Sequence, residues 1–326
     1  MALFIVSLIK VKTVNLTQVA LALNPQVNAA SNYRRLQRFF AEFAVDFDML
    51  SRFMVALLPI EKFILTLDRT NWKLGKADIN LLVLAIAYKG IAFPVMWIFL
   101  SKRGNSDTAE RIELMDRFIG LFGRDCIQCL VADREFIGRE WIGYLKSQRI
   151  IFYLRIRANA KIRTAKDECR IDRLFAHLAI NESFSLPTTK TIYQQKLRVA
   201  GMRLADDYLI IVTNHCPEQA FLYYKERWQI ETLFGAFKTR GFNFEATHLT
   251  HPQRIQKLMA LLALTFAWAH RVGEWINQVK PLKIKNHKRL AKSIFRYGLD
   301  HLREILLNIQ YKSEEFDKTI KVLSCT

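Results

Sequence analysis

Acidic residues are scarce in this chain: 30 Asp and Glu stand against 49 Lys and Arg, a formal net charge of +19 with a pI near 9.8. That excess selects a polyanionic partner, nucleic acid or an anionic surface. Cysteine is sparse too. The five present are scattered and odd in number, which suits a reducing cytoplasm rather than a disulfide framework. Cys126 and Cys129 have CxxC spacing, but no second Cys or His pair completes a zinc site, so they read as small buried residues. No long apolar run is uninterrupted. Residues 79–100 are divided by Lys89-Gly90 and again by Pro94, and 259–269 is too short to span a bilayer. Residues 2–9 are apolar but lack a preceding basic region and a small-residue cleavage site. Repeats and low-complexity segments are missing. What is present is 51% apolar composition over 326 residues, enough for about two domains with a sizeable core. A soluble, cytoplasmic protein with no membrane partner is expected.

Along the chain, residues 1–60 read as a helical DNA-binding region. A short helix over 16–23 ends at Asn24-Pro25, and Ser31 is placed to cap the next. In that second helix Leu36, Phe39, Phe40 and Phe43 form the apolar stripe, while Arg34, Arg35 and Arg38 crowd another face suited to phosphates. From residue 63 the pattern turns to strands: 63–67, 81–88 and 94–100. A helix over 108–122, a strand over 127–132, a helix over 139–147 and a strand over 150–156 follow. That order is α/β, with Asp68 and Asp133 at the ends of the first and fourth strands. Buried carboxylates at strand ends are costly unless a cation offsets them. Residues 157–214 read as a β-rich insertion with strands at 184–186, 192–199 and 208–213. A long apolar helix at 255–276 leads into the basic helical region 279–326.

Residues 224–238, YKERWQIETLFGAFK, read as one helix. On a 3.6-residue period Tyr224, Arg227, Glu231 and Lys238 fall within about 60° of one another. Gly235 shares the stripe and leaves room for something bulky to approach, while Leu233, Phe234 and Phe237 can anchor the opposite side. Asp68, Asp133 and Glu231 together offer hard oxygens for two divalent ions, Mg²⁺ or Mn²⁺ rather than zinc. Two such ions about 4 Å apart serve an in-line phosphoryl displacement. Tyr224, Arg227 and Lys238 would hold DNA phosphates beside them.

The Tyr224-x₂-Arg227-x₃-Glu231-x₆-Lys238 spacing resembles the signature of bacterial DDE transposases of the insertion-sequence-four family. The Asp68-Arg69-Thr70-Asn71-Trp72 and Asp133-Arg134-Glu135-Phe136 segments are similar to that family's blocks around its first two aspartates. The resemblance runs over residues 10–275. It implies a ribonuclease-H-like catalytic core (61–156 and 215–278), an all-β insertion before the glutamate, and Mg²⁺-dependent cut-and-paste transposition through a hairpin intermediate. Its partners would be double-stranded DNA, both terminal inverted repeats and target, with a homodimer in the DNA complex and a nucleoid-associated location. A nuclease or resolvase that does not join, or an inactive copy acting as a repressor, are the alternatives. Relatives place a tryptophan in the insertion to stack on a flipped base, but none lies between Trp141 and Trp228 here. Tyr153, Phe184, Tyr193 and Tyr208 could offer the stacking face instead, and Tyr193, flanked by Thr191, Gln194, Gln195 and Lys196 in an expected exposed strand facing DNA, is expected to receive the flipped base.

Overall fold

A computed structural model describes residues 1–163, 168–286 and 288–324. Four helices come first: α1 (Ala2–Val11), α2 (Leu16–Leu23), α3 (Ala29–Glu42) and α4 (Phe47–Ala56). Strands β1 (Phe63–Leu74), β2 (Ala77–Tyr88) and β3 (Ile91–Phe99) are followed by α5 (Thr108–Phe122), β4 (Ile127–Ala132), α6 (Arg139–Ser147) and β5 (Phe152–Ile156). Next are β6 (Lys161–Arg163), β7 (Glu168–Arg170), β8 (Ser183–Ser185), β9 (Lys190–Ile192), β10 (Gln195–Arg203) and β11 (Tyr208–Thr213). Helices α7 (Ala220–Tyr224), α8 (Trp228–Phe237), α9 (Pro252–Val279), α10 (Ile294–Leu307) and α11 (Ser313–Lys321) complete the chain. These divide into two compact units, one of residues 60–70 and 80–232, the other of 1–59, 71–79 and 233–326.

The first unit is built on a mixed sheet in the order β3-β2-β1-β4-β5-β11-β10-β9-β6-β7, with β8 on β10. β1, β4 and β5 run parallel, β2 pairs antiparallel with β3, and β11 antiparallel with β5. The order 3-2-1-4-5 with helical crossovers α5 and α6 is the ribonuclease-H-like core anticipated. β4 is central, and Cys129, Leu130, Val131 and Ala132 are all buried, as a strand covered on both faces requires. Burial pushes the Cys129 thiol up to about 12, so it is an inert packing group. α5 starts with a capping box, Asp107 accepting from the Glu110 amide and Glu110 from the Asp107 amide. Lys89 and Gly90, at φ 48° and 89°, form the two-residue turn that splits the 79–100 apolar run into β2 and β3.

Three sequence expectations change here. β1 continues to Leu74, six residues beyond Asp68, because a second tight turn at Gly75 carries the hairpin onward; Asp68 is not at a strand terminus. The strand expected over 192–199 is broken in two, since Tyr193 and Gln194 both take positive φ (50° and 59°) and turn β9 back onto β10. Tyr193 is therefore a half-buried turn residue and not part of an exposed strand. The helix expected over 224–238 is assembled from α7, a 3₁₀ turn at Lys225–Arg227, and α8.

In the second unit, α9 and α10 pack closely, and α1 lies against both. Asn32, fully buried, donates to the carbonyls of Ala20 and Asn24 and so locks α3 onto the end of α2. The cap of α3 is Asn28 rather than Ser31. Leu36 and Phe40 are buried, but Phe39 is half-buried and Phe43 exposed, because the helix ends at Glu42 and Phe43 leaves the stripe. Arg34, Arg35 and Arg38 are exposed. Among the described residues no single helix is long and apolar enough to cross a membrane.

Candidate active site

Parallel register brings the two aspartates together. The β1–β4 ladder ends at the pair Leu67 and Ala132, so Asp68, within β1, and Asp133, just past the end of β4, are the next residues along the two segments. Each carboxylate accepts from the amide of the following arginine, Arg69 N–H to Asp68 Oδ1 at 2.8 Å and Arg134 N–H to Asp133 Oδ1 at 2.7 Å. α7 and the 3₁₀ turn bring Tyr224 and Arg227, and the first turn of α8 carries Glu231. The Tyr224 hydroxyl donates to Asp133 Oδ1 at 3.3 Å, and Arg227 stands 3.8 Å from Asp68 Oδ2 and 2.7 Å from Glu231 Oε1.

The electrostatics follow from burial. Asp68 is pushed up to about 6, first by desolvation, with Glu135 and Asp133 adding repulsion. The Arg69 amide and the Arg227 charge pull the other way, but at 3.8 Å the arginine does not offset the burial. Burial also pushes the Tyr224 phenol up to about 12, which keeps it a hydrogen-bond donor. Arg227 is itself raised: burial opposes its charge, but Tyr224, Glu231 and Asp133 more than compensate. Its side chain is only 5% exposed, its Nε has no partner among the described residues, and its guanidinium lies 4.8 Å from the Trp228 ring centroid.

Among the described residues no three His, Cys, Asp or Glu side chains are grouped to hold a metal ion. The chemistry of the donor set nevertheless fits a hard cation: two neighbouring carboxylates, one of them starved of solvent, with a third held by an arginine. In this arrangement Arg227 supplies the positive charge between Asp68 and Glu231.

Other expected residues belong to the helical unit or to a turn. Lys238 belongs to the helical unit, paired to Glu245 at 2.8 Å and 6.0 Å from the Trp72 ring centroid. The space over Gly235 is filled by the Arg240 side chain, 3.3 Å from where a Cβ would stand. Arg34, Arg35 and Arg38 are also in the helical unit, and Tyr193 is in its turn. Two features escaped the sequence reading. Arg69 is a structural hub, bonded to Glu135, Asn80, Gly104 and Asn105. Trp228, beside Arg227, is 59% exposed. The signals were the neighbouring letters of the aspartate and glutamate blocks.

Residues 62–268 match the model of the transposase DDE domain, and the chain belongs to that family. Among solved structures it is similar to a piggyBac transposase synaptic complex with hairpin DNA, determined by cryo-electron microscopy, at 13% identity and a TM-score of 0.41. That similarity covers 81% of this chain and 58% of the other, so the chain spans less than two thirds of that transposase. No curated protein matches the chain.

Proposed function

We propose that the protein is a DNA transposase of the insertion-sequence-four type, cutting transposon ends and joining them to target DNA. The observation that carries this reading is that Arg227 stands 3.8 Å from Asp68 Oδ2 and 2.7 Å from Glu231 Oε1, with Tyr224 hydrogen-bonded to Asp133, in a chain of the transposase DDE family. Asp68, Asp133 and Glu231 would hold Mg²⁺ or Mn²⁺. Bound there, the ions would supply Lewis-acid activation of the attacking oxygen and stabilise the leaving oxygen.

The chain's own groups position the strand. Tyr224, kept protonated by burial, orients the Asp133 carboxylate through its hydroxyl. Arg227 can exchange its carboxylate partners for a phosphate as DNA enters, since a guanidinium fits either with the same fork of donors. Lys238, Arg34, Arg35 and Arg38 supply further phosphate contacts from the helical unit. A hairpin intermediate requires a base to leave the stack, and an aromatic face offsets that cost. Trp228 offers such a face beside Arg227, a stronger candidate than the half-buried Tyr193.

The test uses duplexes carrying the inverted repeats that flank the gene. Asp68→Ala, Asp133→Ala and Glu231→Ala should each abolish Mg²⁺-dependent cleavage while DNA affinity stays within a few-fold. Calorimetric titration with Mn²⁺ should show loss of metal binding in the same variants. Cleavage near the parent level in any one of them removes that residue from the set, and nicking without joining by the parent reduces the protein to a nuclease.

A further inference from the structure

Between α9 and α10, residues 283–286 and 288–291 form an exposed, lysine-rich hairpin. Ile284 bridges Leu290 in antiparallel fashion, the Lys285 N–H donates to the Arg289 carbonyl at 2.8 Å, and the Ala291 N–H to the Lys283 carbonyl at 2.9 Å. Its base is fixed. The Tyr297 hydroxyl donates to the Lys280 carbonyl at 3.0 Å, and Lys292 pairs with Asp300 at 3.2 Å. The helices beneath are held in close contact by two glycines: a Cβ on Gly273 would come within 2.0 Å of the Ile294 carbonyl oxygen, and one on Gly298 within 1.8 Å of that of Ala269. The hairpin thus projects from a rigid support.

Its exposed side chains are of two kinds. Lys283, Lys285 and Lys288 point to solvent and make no side-chain hydrogen bond or ion pair among the described residues. Ile284 and Leu290, paired by the single bridge, are 71% and 41% exposed. Residues 280–296 contain seven Lys and Arg and no Asp or Glu. An isolated surface does not hold this composition for its own stability: the lysines repel one another and the aliphatic pair faces water.

We propose that this hairpin is a contact for duplex DNA, with Lys283, Lys285 and Lys288 on backbone phosphates and Ile284 and Leu290 pressed into the groove. The proposal rests on the reading of the protein as a DNA transposase. Charge complementarity favours DNA over a membrane, because an interfacial anchor buries a broad apolar face and two aliphatic side chains do not make one. A tight turn held by a single antiparallel bridge is no wider than the two-stranded ribbon that the major groove admits, and apolar side chains entering a groove are a recurrent device of architectural DNA-binding proteins.

Two variants of the full chain separate the contributions. In Lys283→Gln/Lys285→Gln/Lys288→Gln the slope of log K against log salt for duplex DNA should become shallower by about 2.7, three phosphates at roughly 0.9 each. In Ile284→Ser/Leu290→Ser the affinity should fall about tenfold with the slope unchanged, since apolar contacts release no counterions. Both variants should keep the parent's melting temperature and Mn²⁺ affinity. An unchanged slope in the lysine variant, with cleavage intact, overturns the hairpin contact and leaves the transposase reading standing. A parent that binds no duplex DNA overturns both. Loss of binding to anionic vesicles but not to DNA in the lysine variant identifies a membrane surface and also overturns the proposal.

Discussion

The Arg69 guanidinium grips the Glu135 carboxylate with two hydrogen bonds, Nε to Oε1 at 2.6 Å and a terminal nitrogen to Oε2 at 2.8 Å. Each partner stands close to an aspartate of the site: Arg69 follows Asp68, and Glu135 is two residues after Asp133. The same guanidinium bonds Asn80, the Gly104 carbonyl and Asn105, and Asn80 donates to the Lys102 and Gly104 carbonyls. One side chain therefore ties together both aspartate segments and the turn before α5.

This fork sets the first prediction. Arg69→Lys keeps the charge but loses the planar pair of donors, and unfolding stability should drop by about 1–2 kcal/mol. Glu135→Gln should cost about as much, and the double variant less than the sum, because the two act as one unit. Denaturant unfolding of the three variants checks it; additive losses would show that the pair is not coupled.

Asp68 supplies a pH prediction. Its carboxyl rises from 3.8 to about 6 on folding, chiefly through burial, so the folded chain holds that proton more tightly than the unfolded one. The ionised form is then a cost to folding that is absent below about pH 4 and complete above about pH 6, worth at most about 3 kcal/mol. Asp68→Asn should accordingly melt higher than the parent at pH 8 in EDTA, and the gap should close at pH 4. Added Mg²⁺ should raise the melting temperature of the parent and not of the variant. A variant less stable than its parent at pH 8 would contradict the sign.

Arg227 gives a prediction in which binding and catalysis part. Removing a cation 3.8 Å from Asp68 and 2.7 Å from Glu231 frees both acids for a metal ion. In the absence of DNA, Arg227→Ala should bind Mn²⁺ at least about tenfold more tightly than the parent, although cleavage slows through loss of the phosphate contact. Calorimetry reads the first and a nicking assay the second. Weaker Mn²⁺ binding would mean that Arg227 organises the acids rather than competing for them.

The proposed hairpin step would separate two aromatics. On a pre-nicked substrate Trp228→Ala should lower hairpin yield about tenfold, the low end of what base stacking supplies, with first-strand nicking retained. Tyr193→Ala should leave that yield near the parent's, because the ring is half-buried in a turn. The reverse ranking would return the role to Tyr193.

Regular elements with a clear period were legible in the sequence. α5, β4, α6 and β11 fall at the limits expected, because Asp107, Gly123 and flanking polar residues mark their ends. Positions where tertiary contacts override local pattern were not. β1 reads as ending at Asp68 because a charge interrupts its apolar alternation, but the hairpin with β2 carries it on to Leu74. The burial of Arg227 was hidden as well, since helical spacing shows which residues share a face and not that Asp68 arrives from a distant strand to meet it. Arg69 and Glu135 lie 66 positions apart, and neither alone marks a clamp.

The ladder that stops at Leu67 and Ala132 also bears on how such a chain can vary. A residue gained or lost inside β1 before Asp68, or inside β4, would turn every later side chain of that strand to the other face and carry one aspartate away from its neighbour. No substitution elsewhere could restore the pair except a compensating length change in the same strand. Related chains should therefore accumulate insertions and deletions in their connecting loops, while the spacings from Phe63 to Asp68 and from Ile127 to Asp133 stay constant in number even where the residues between them change.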